Sequence, residues 1–78
     1  MTTITWKPPS VPNAKRSQLP DSAFAFPKER KEPLTDANHV RSAIARFHQV
    51  DGVTEHERVQ AEANISAAAT YYGVHFEH

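Results

Sequence analysis

Residues Thr35–Gly73 read TDANHVRSAIARFHQVDGVTEHERVQAEANISAAATYYG, and this stretch decides the fold. Thr35-Asp36 offers an N-cap, after which Val40, Ala43, Ile44, Phe47 and Val50 fall at i, i+3, i+4, i+7 and i+10, the spacing of one helical face. That predicts a first helix from about Ala37 to Val50. Gly52 suits the left-handed conformation that ends such a helix. Thr54 and Glu57 then stand in the Thr-x-x-Glu spacing of a capping box, so a second helix starts at about Glu55 after a very short loop. Ala61, Ile65, Ala68, Ala69 and Tyr72 share one face of it, and Gly73 stops it after Tyr72. Helices joined this tightly fold back as an antiparallel hairpin. Ala61, Ala68 and Ala69 present little bulk, so the helices approach closely and Ile44, Phe47, Ile65 and Tyr72 fill a thin core.

Upstream, Leu19-Pro20-Asp21-Ser22-Ala23-Phe24-Ala25-Phe26-Pro27 is followed by the charged run Lys28-Glu29-Arg30-Lys31-Glu32 and then Pro33-Leu34. Phe24 and Phe26 are two apart, which on a strand turns both rings to one side and Ala23 and Ala25 to the other. The charged run is the turn of a small irregular hairpin over 19–34, and Pro27 and Pro33 exclude central sheet positions for those residues. The helical layer is the only place for the hairpin's apolar side chains. Beyond Gly73, Val74 and Phe76 alternate with His75 and Glu77, the pattern of a short edge strand or a polar tail over 74–78. Residues 1–18 carry Pro8, Pro9 and Pro12 among polar residues and read as an extended or disordered arm. Trp6 is its one large aromatic, suited to pin the arm to the core or to a partner. The expected fold is α+β: one small domain over 19–78, a β-hairpin packed on an antiparallel helical hairpin, behind a proline-rich arm.

With 78 residues there is room for one domain and a small core, which excludes a multi-domain enzyme. The chain has no cysteine, so disulfides, thiolate metal sites and cysteine nucleophiles are absent, and the expected compartment is the cytoplasm. No window approaches the roughly 18 apolar residues of a membrane span, and the first residues lack the apolar block of a signal peptide. The 9 basic and 9 acidic residues balance, which argues against a protein that coats nucleic acid. Their distribution is uneven: residues 1–35 sum to +3 and residues 36–78 to −3.

Leu19-Pro20-Asp21-Ser22-Ala23-Phe24-Ala25, then Pro33-Leu34-x-Asp36, His39-Val40-Arg41, Ala43, Ala45-Arg46-Phe47, Gln49 and Tyr72-Gly73-Val74 resemble a small bacterial and phage domain family of unknown function. The resemblance spans about Leu19 to Val74. It implies a common fold, occurrence as short stand-alone proteins or as segments of phage-derived genes, and no known activity. No catalytic or binding residue is carried across, and the arm lies outside it.

Five histidines, His39, His48, His56, His75 and His78, are the first place to seek chemistry. None forms the i, i+3 or i, i+4 helical pair of a metal site, and His75, Glu77 and His78 lack an obvious fourth ligand. His39 stands beside Asp36, where a capping role outweighs an acid–base one. Gly52 and Gly73 stand alone, so there is no phosphate-cradling loop, and Ser10, Ser17, Ser22, Ser42 and Ser66 lie in no nucleophile elbow. No catalytic residue, metal or cofactor is expected. Arg41 and Arg46 suit packing over the helical seam better than phosphate clamping.

The expected function is that of a non-enzymatic protein-interaction module, docking on a larger assembly through Trp6, Lys7, Lys15 and Arg16 of the arm. The competing expectation is weak binding of single-stranded nucleic acid, with Lys28, Arg30 and Lys31 of the hairpin turn on phosphates and Trp6, Phe24 and Phe26 stacking on bases. A homodimer that hides the thin core is compatible with either.

Overall fold

Phe24–Phe26 forms strand β1 and Lys31–Pro33 strand β2, antiparallel, with Phe24 opposite Pro33 and Phe26 opposite Lys31. The computed structural model describes residues 5–8, 19–28 and 30–76. A single 3-10 turn, Asp21–Ala23, leads into β1. At the hairpin turn the Arg30 amide bonds to the Pro27 carbonyl at 3.3 Å, and Arg30 and Glu32 both take left-handed backbone, with φ of 54° and 56°. That conformation costs a non-glycine residue roughly 1–2 kcal/mol. At Arg30 the cost is offset by its side chain, which donates to Asp21 Oδ1 at 2.6 Å and to the Leu19 carbonyl at 3.0 Å and lies 4.7 Å from the centre of the Phe24 ring. The left-handed Glu32 and the donor-less Pro33 also leave β2 a poor edge for pairing with another strand.

Helix α1 runs Ala37–Arg46, capped at Asp36, whose carboxylate accepts from the His39 amide at 2.7 Å. The α-helix stops four residues before the Val50 that periodicity suggests, and Phe47–Gln49 tightens into a 3-10 turn. The cause lies across the loop. Arg58 donates through Nη1 to the Phe47 carbonyl at 2.8 Å and through Nη2 to the Val50 carbonyl at 2.5 Å, so one guanidinium satisfies two carbonyls that a continuing helix would have used. Gly52 is left-handed as expected, φ 76°, but it sits inside a 50–54 loop and ends nothing.

Helix α2, Glu55–Tyr72, opens on both halves of the predicted capping box, Glu57 amide to Thr54 Oγ1 at 3.1 Å and Thr54 amide to Glu57 Oε1 at 3.0 Å. It closes at Gly73, φ 72°, where the Val74 amide reaches the Ala69 carbonyl at 2.8 Å and the Gly73 amide the Thr70 carbonyl at 3.4 Å. This is the paired C-cap that a left-handed glycine permits.

The architecture is α+β. Helix α2 lies against β1, and α1 lies against β2 and α2. Val40, Ala43, Phe47 and Val50 from the first face meet Ala61, Ile65, Ala68 and Ala69 from the second, with Phe26 and Leu34 from the hairpin closing the core. The expectation of one aromatic face on β1 needs correction. All of β1 is buried; Phe24 joins Leu19 and Ala23 in a small separate cluster, while Phe26 and Ala25 both belong to the main core. Residues 74–76 form no strand: Val74 and Phe76 pack on the core as a half-buried tail, with Phe76 edge-on to Phe47 at 6.3 Å. Among the described residues no helix is long and apolar enough to cross a membrane.

Candidate functional site

The arm enters the fold at Asn64. This residue occupies the i+3 place between Ala61 and Ile65 on the buried face of α2 and is completely shielded from solvent. A buried amide needs its donors and acceptors satisfied, and Asn64 finds them in two other parts of the chain. Its Oδ1 accepts the backbone N–H of Thr5 at 2.9 Å and of Trp6 at 3.0 Å; its Nδ2 donates to Thr5 Oγ1 and to the Ala25 carbonyl, each at 3.1 Å. Trp6, 7% exposed, sends its indole N–H to the Leu34 carbonyl at 3.1 Å, and the Lys7 amide bonds to the Ser22 carbonyl at 3.0 Å. Residues 5–7 are therefore a third piece of the core layer. Of the two placements the sequence leaves open for Trp6, core or partner, its ring takes the core, where Leu34 and the end of α2 supply its partners.

What the latch presents to solvent is an aromatic corner at the end of α2. The Tyr71 ring lies edge-on to Tyr72 at 4.9 Å and to Trp6 at 5.7 Å, and Trp6 meets Tyr72 at 5.9 Å. Tyr71 remains 62% exposed. Such T-shaped pairs are worth about 0.5–1.5 kcal/mol beyond area burial, so the exposed ring is held in place. The half-buried Tyr72 hydroxyl titrates above the usual tyrosine range, first because of burial and then because Tyr71 and Asp36 lie near. Lys7 is exposed beside Trp6 in the chain; Lys15 and Arg16 lie outside the described residues.

The residues expected to meet nucleic acid are otherwise engaged. Arg30 is tied to Asp21, Leu19 and Phe24, and Lys31 Nζ donates to the Asp51 carbonyl at 3.2 Å, leaving Lys28 exposed at the turn. Phe24 and Phe26 have no surface on which a base could stack. Asp36 and His39 form the expected cap with one addition, the His39 ring, whose Nδ1 lies 2.9 Å from the same carboxylate oxygen. These bonds, led by the His39 backbone N–H, hold the Asp36 carboxyl below the usual aspartate range. Among the described residues no three His, Cys, Asp or Glu side chains gather in a metal-binding group. His48 stacks on Phe47 with ring centres 4.0 Å apart, and His56 and His75 are exposed.

Sequence reasoning missed Asn64 and Tyr71. The signal for Asn64 was present, a polar amide inside the stripe Ala61, Ile65, Ala68, Tyr72. Nothing comparable marked Tyr71, whose role depends on where Trp6 lands.

Comparison with known proteins adds a family. The model described as "Family of unknown function (DUF6582)" matches residues 9–78, so it reaches ten residues into the arm, beyond the motifs noted in the sequence. No curated protein and no solved structure matches the chain.

Proposed function

We propose a role from geometry alone, because the chain belongs to the DUF6582 family of unknown function and no activity comes with that membership. The protein is a small non-enzymatic interaction module that docks on a larger protein, as accessory or inhibitor of an assembly. Its contact is the aromatic corner where the arm meets the end of α2.

One observation carries this reading: Tyr71 is a large aromatic that is mostly exposed yet already braced by Trp6 and Tyr72. Tyrosines held this way lose little rotamer freedom on docking and bring both apolar area and a hydroxyl. The geometry does not favour the nucleic-acid reading, since Arg30 and Lys31 bond within the chain and Phe24 and Phe26 are buried.

The test compares wild-type protein with Tyr71→Ala and Tyr71→Phe as baits in extract of the native cells, with and without nuclease treatment, quantified by mass spectrometry. A stoichiometric protein is expected with wild type and Tyr71→Phe, falling about tenfold or more with Tyr71→Ala. Equal recovery by all three baits refutes the aromatic corner. Loss of every partner on nuclease treatment transfers the function to the basic residues of the arm and turn.

A further inference from the structure

Between β2 and one side of α1 lies a cleft of about 390 Å³, lined by Lys31, Glu32, Pro33, His39, Ser42 and Arg46. Small-molecule sites begin at roughly 300 Å³, so the cleft is in the lower part of that range. Its helical wall follows from spacing: His39, Ser42 and Arg46 stand at i, i+3 and i+7, one above another on α1.

The donors of this wall are open to a ligand. The exposed Arg46 guanidinium makes no hydrogen bond or ion pair to another described residue, and Ser42 is likewise exposed. Lys31 uses one N–H on the Asp51 carbonyl, leaving the other two. An ionised Asp36 only accepts, so His39 gives it the Nδ1 proton and its Nε2 faces the opposite way. A guanidinium, an ammonium, a hydroxyl and an oriented imidazole therefore share one small cleft with a single carboxylate, Glu32.

We infer that this cleft binds a hydroxylated phosphate monoester, the phosphate on Arg46, Lys31 and Ser42 and the ligand's hydroxyls on Glu32 and His39. Three phosphate oxygens match the cationic and hydroxyl donors, and Arg46 supplies a planar fork for two of them. Glu32 explains why the preferred ligand carries hydroxyls, since a carboxylate accepts from them and repels a bare polyanion. A nucleic-acid backbone fits poorly, because Glu32 within the cleft and Asp36 on His39 repel the phosphates that would follow the first. The cleft shares no lining residue with the aromatic corner, and its assignment stands or falls independently of the docking role.

The test is a titration of the full chain, followed by its amide and side-chain NMR signals along the whole sequence. Probes are ribose 5-phosphate, glycerol 3-phosphate, inorganic phosphate, free ribose and a short oligothymidylate. Saturable shifts confined to Lys31, His39, Ser42 and Arg46 are expected with both monoesters below about 10 mM. Inorganic phosphate should bind more weakly and free ribose not at all. Arg46→Ala, an exposed change that the helix tolerates, should weaken the monoesters about tenfold or more. Absence of saturable shifts overturns the assignment, as does binding unchanged in Arg46→Ala. Tighter binding of the oligothymidylate, with shifts spread to Lys28 and the arm, overturns it in favour of a polymer.

Discussion

Replacing Asn64 with alanine tests whether the arm belongs to the fold. The substitution removes the acceptor for the Trp6 N–H and the donor for the Ala25 carbonyl, two groups in buried bonds, together with the less buried contacts to Thr5. Each buried group left unpaired costs about 1–3 kcal/mol, giving about 2–6 kcal/mol for the pair. The chain has one escape, which is to release the arm and let those groups meet water. Release exposes Trp6, and a tryptophan burying about 150–250 Å² at about 25 cal/mol/Å² contributes about 4–6 kcal/mol at most. Both routes lead to a similar loss, against a total of about 4–12 kcal/mol for a domain of this length.

The assay has a built-in reporter, because Trp6 is the only tryptophan. Urea unfolding followed by its fluorescence gives the stability, and the emission maximum before the transition shows whether the ring is still buried. Amide exchange at Thr5 and Trp6 reports the two bonds directly. Should Asn64→Ala fail to fold, Thr5→Ser and Thr5→Ala carry the test: Ala loses about 1 kcal/mol relative to Ser, since it lacks the hydroxyl that Asn64 Nδ2 meets. An Asn64→Ala protein within about 0.5 kcal/mol of wild type, with unshifted emission and unchanged amide protection, refutes the latch.

Arg58→Ala should cost about 1–3 kcal/mol in the same unfolding assay, because it strips both the Phe47 and Val50 carbonyls of their charged donor. Arg58→Lys should restore little of it, one ammonium being unable to reproduce the fork that spans both carbonyls. Asp36→Ala should cost about 1 kcal/mol at neutral pH as a lost N-cap. The folded Asp36 carboxyl titrates below its unfolded value, so the cap's contribution is present above about pH 4, the ordinary aspartate range, and fades as pH falls through the folded value. Wild type and variant should therefore converge in acid, and a gap that stays constant or widens contradicts the cap.

The helical half was legible because its signals are local. Thr54 and Glu57, Gly73, and the spacing of Val40, Ala43 and Phe47 each act within a few residues, and both helices begin where those signals place them. The early end of α1 was not legible, since it depends on Arg58 reaching back over the loop to carbonyls 11 and 8 residues upstream. The same holds for β1. Alternation assigns Phe24 and Phe26 to one face, but nothing local says that Arg30 will cover Phe24 while Phe26 enters the main core. Trp6 was legible as the one large aromatic of the arm, and its destination depended on Asn64, 58 positions away.

The commitment of Trp6 to the core changes how the proposed docking works. A mobile arm that ordered on its partner would lose conformational freedom at the moment of binding, and the contact would be weaker by that amount. Here the ordering is done during folding: Asn64 fixes the backbone of residues 5 and 6, the indole N–H is fixed by Leu34, and the ring then stands as a wall against which Tyr71 is braced. On this reading the domain's stability and its binding surface share the same bonds. Trp6 belongs to the same core cluster as Ala61, Ala68 and Ala69 of α2, and the ring that completes that core also shapes the exposed corner. Loosening the latch should thus weaken docking even though Asn64 is wholly buried and never touches the partner.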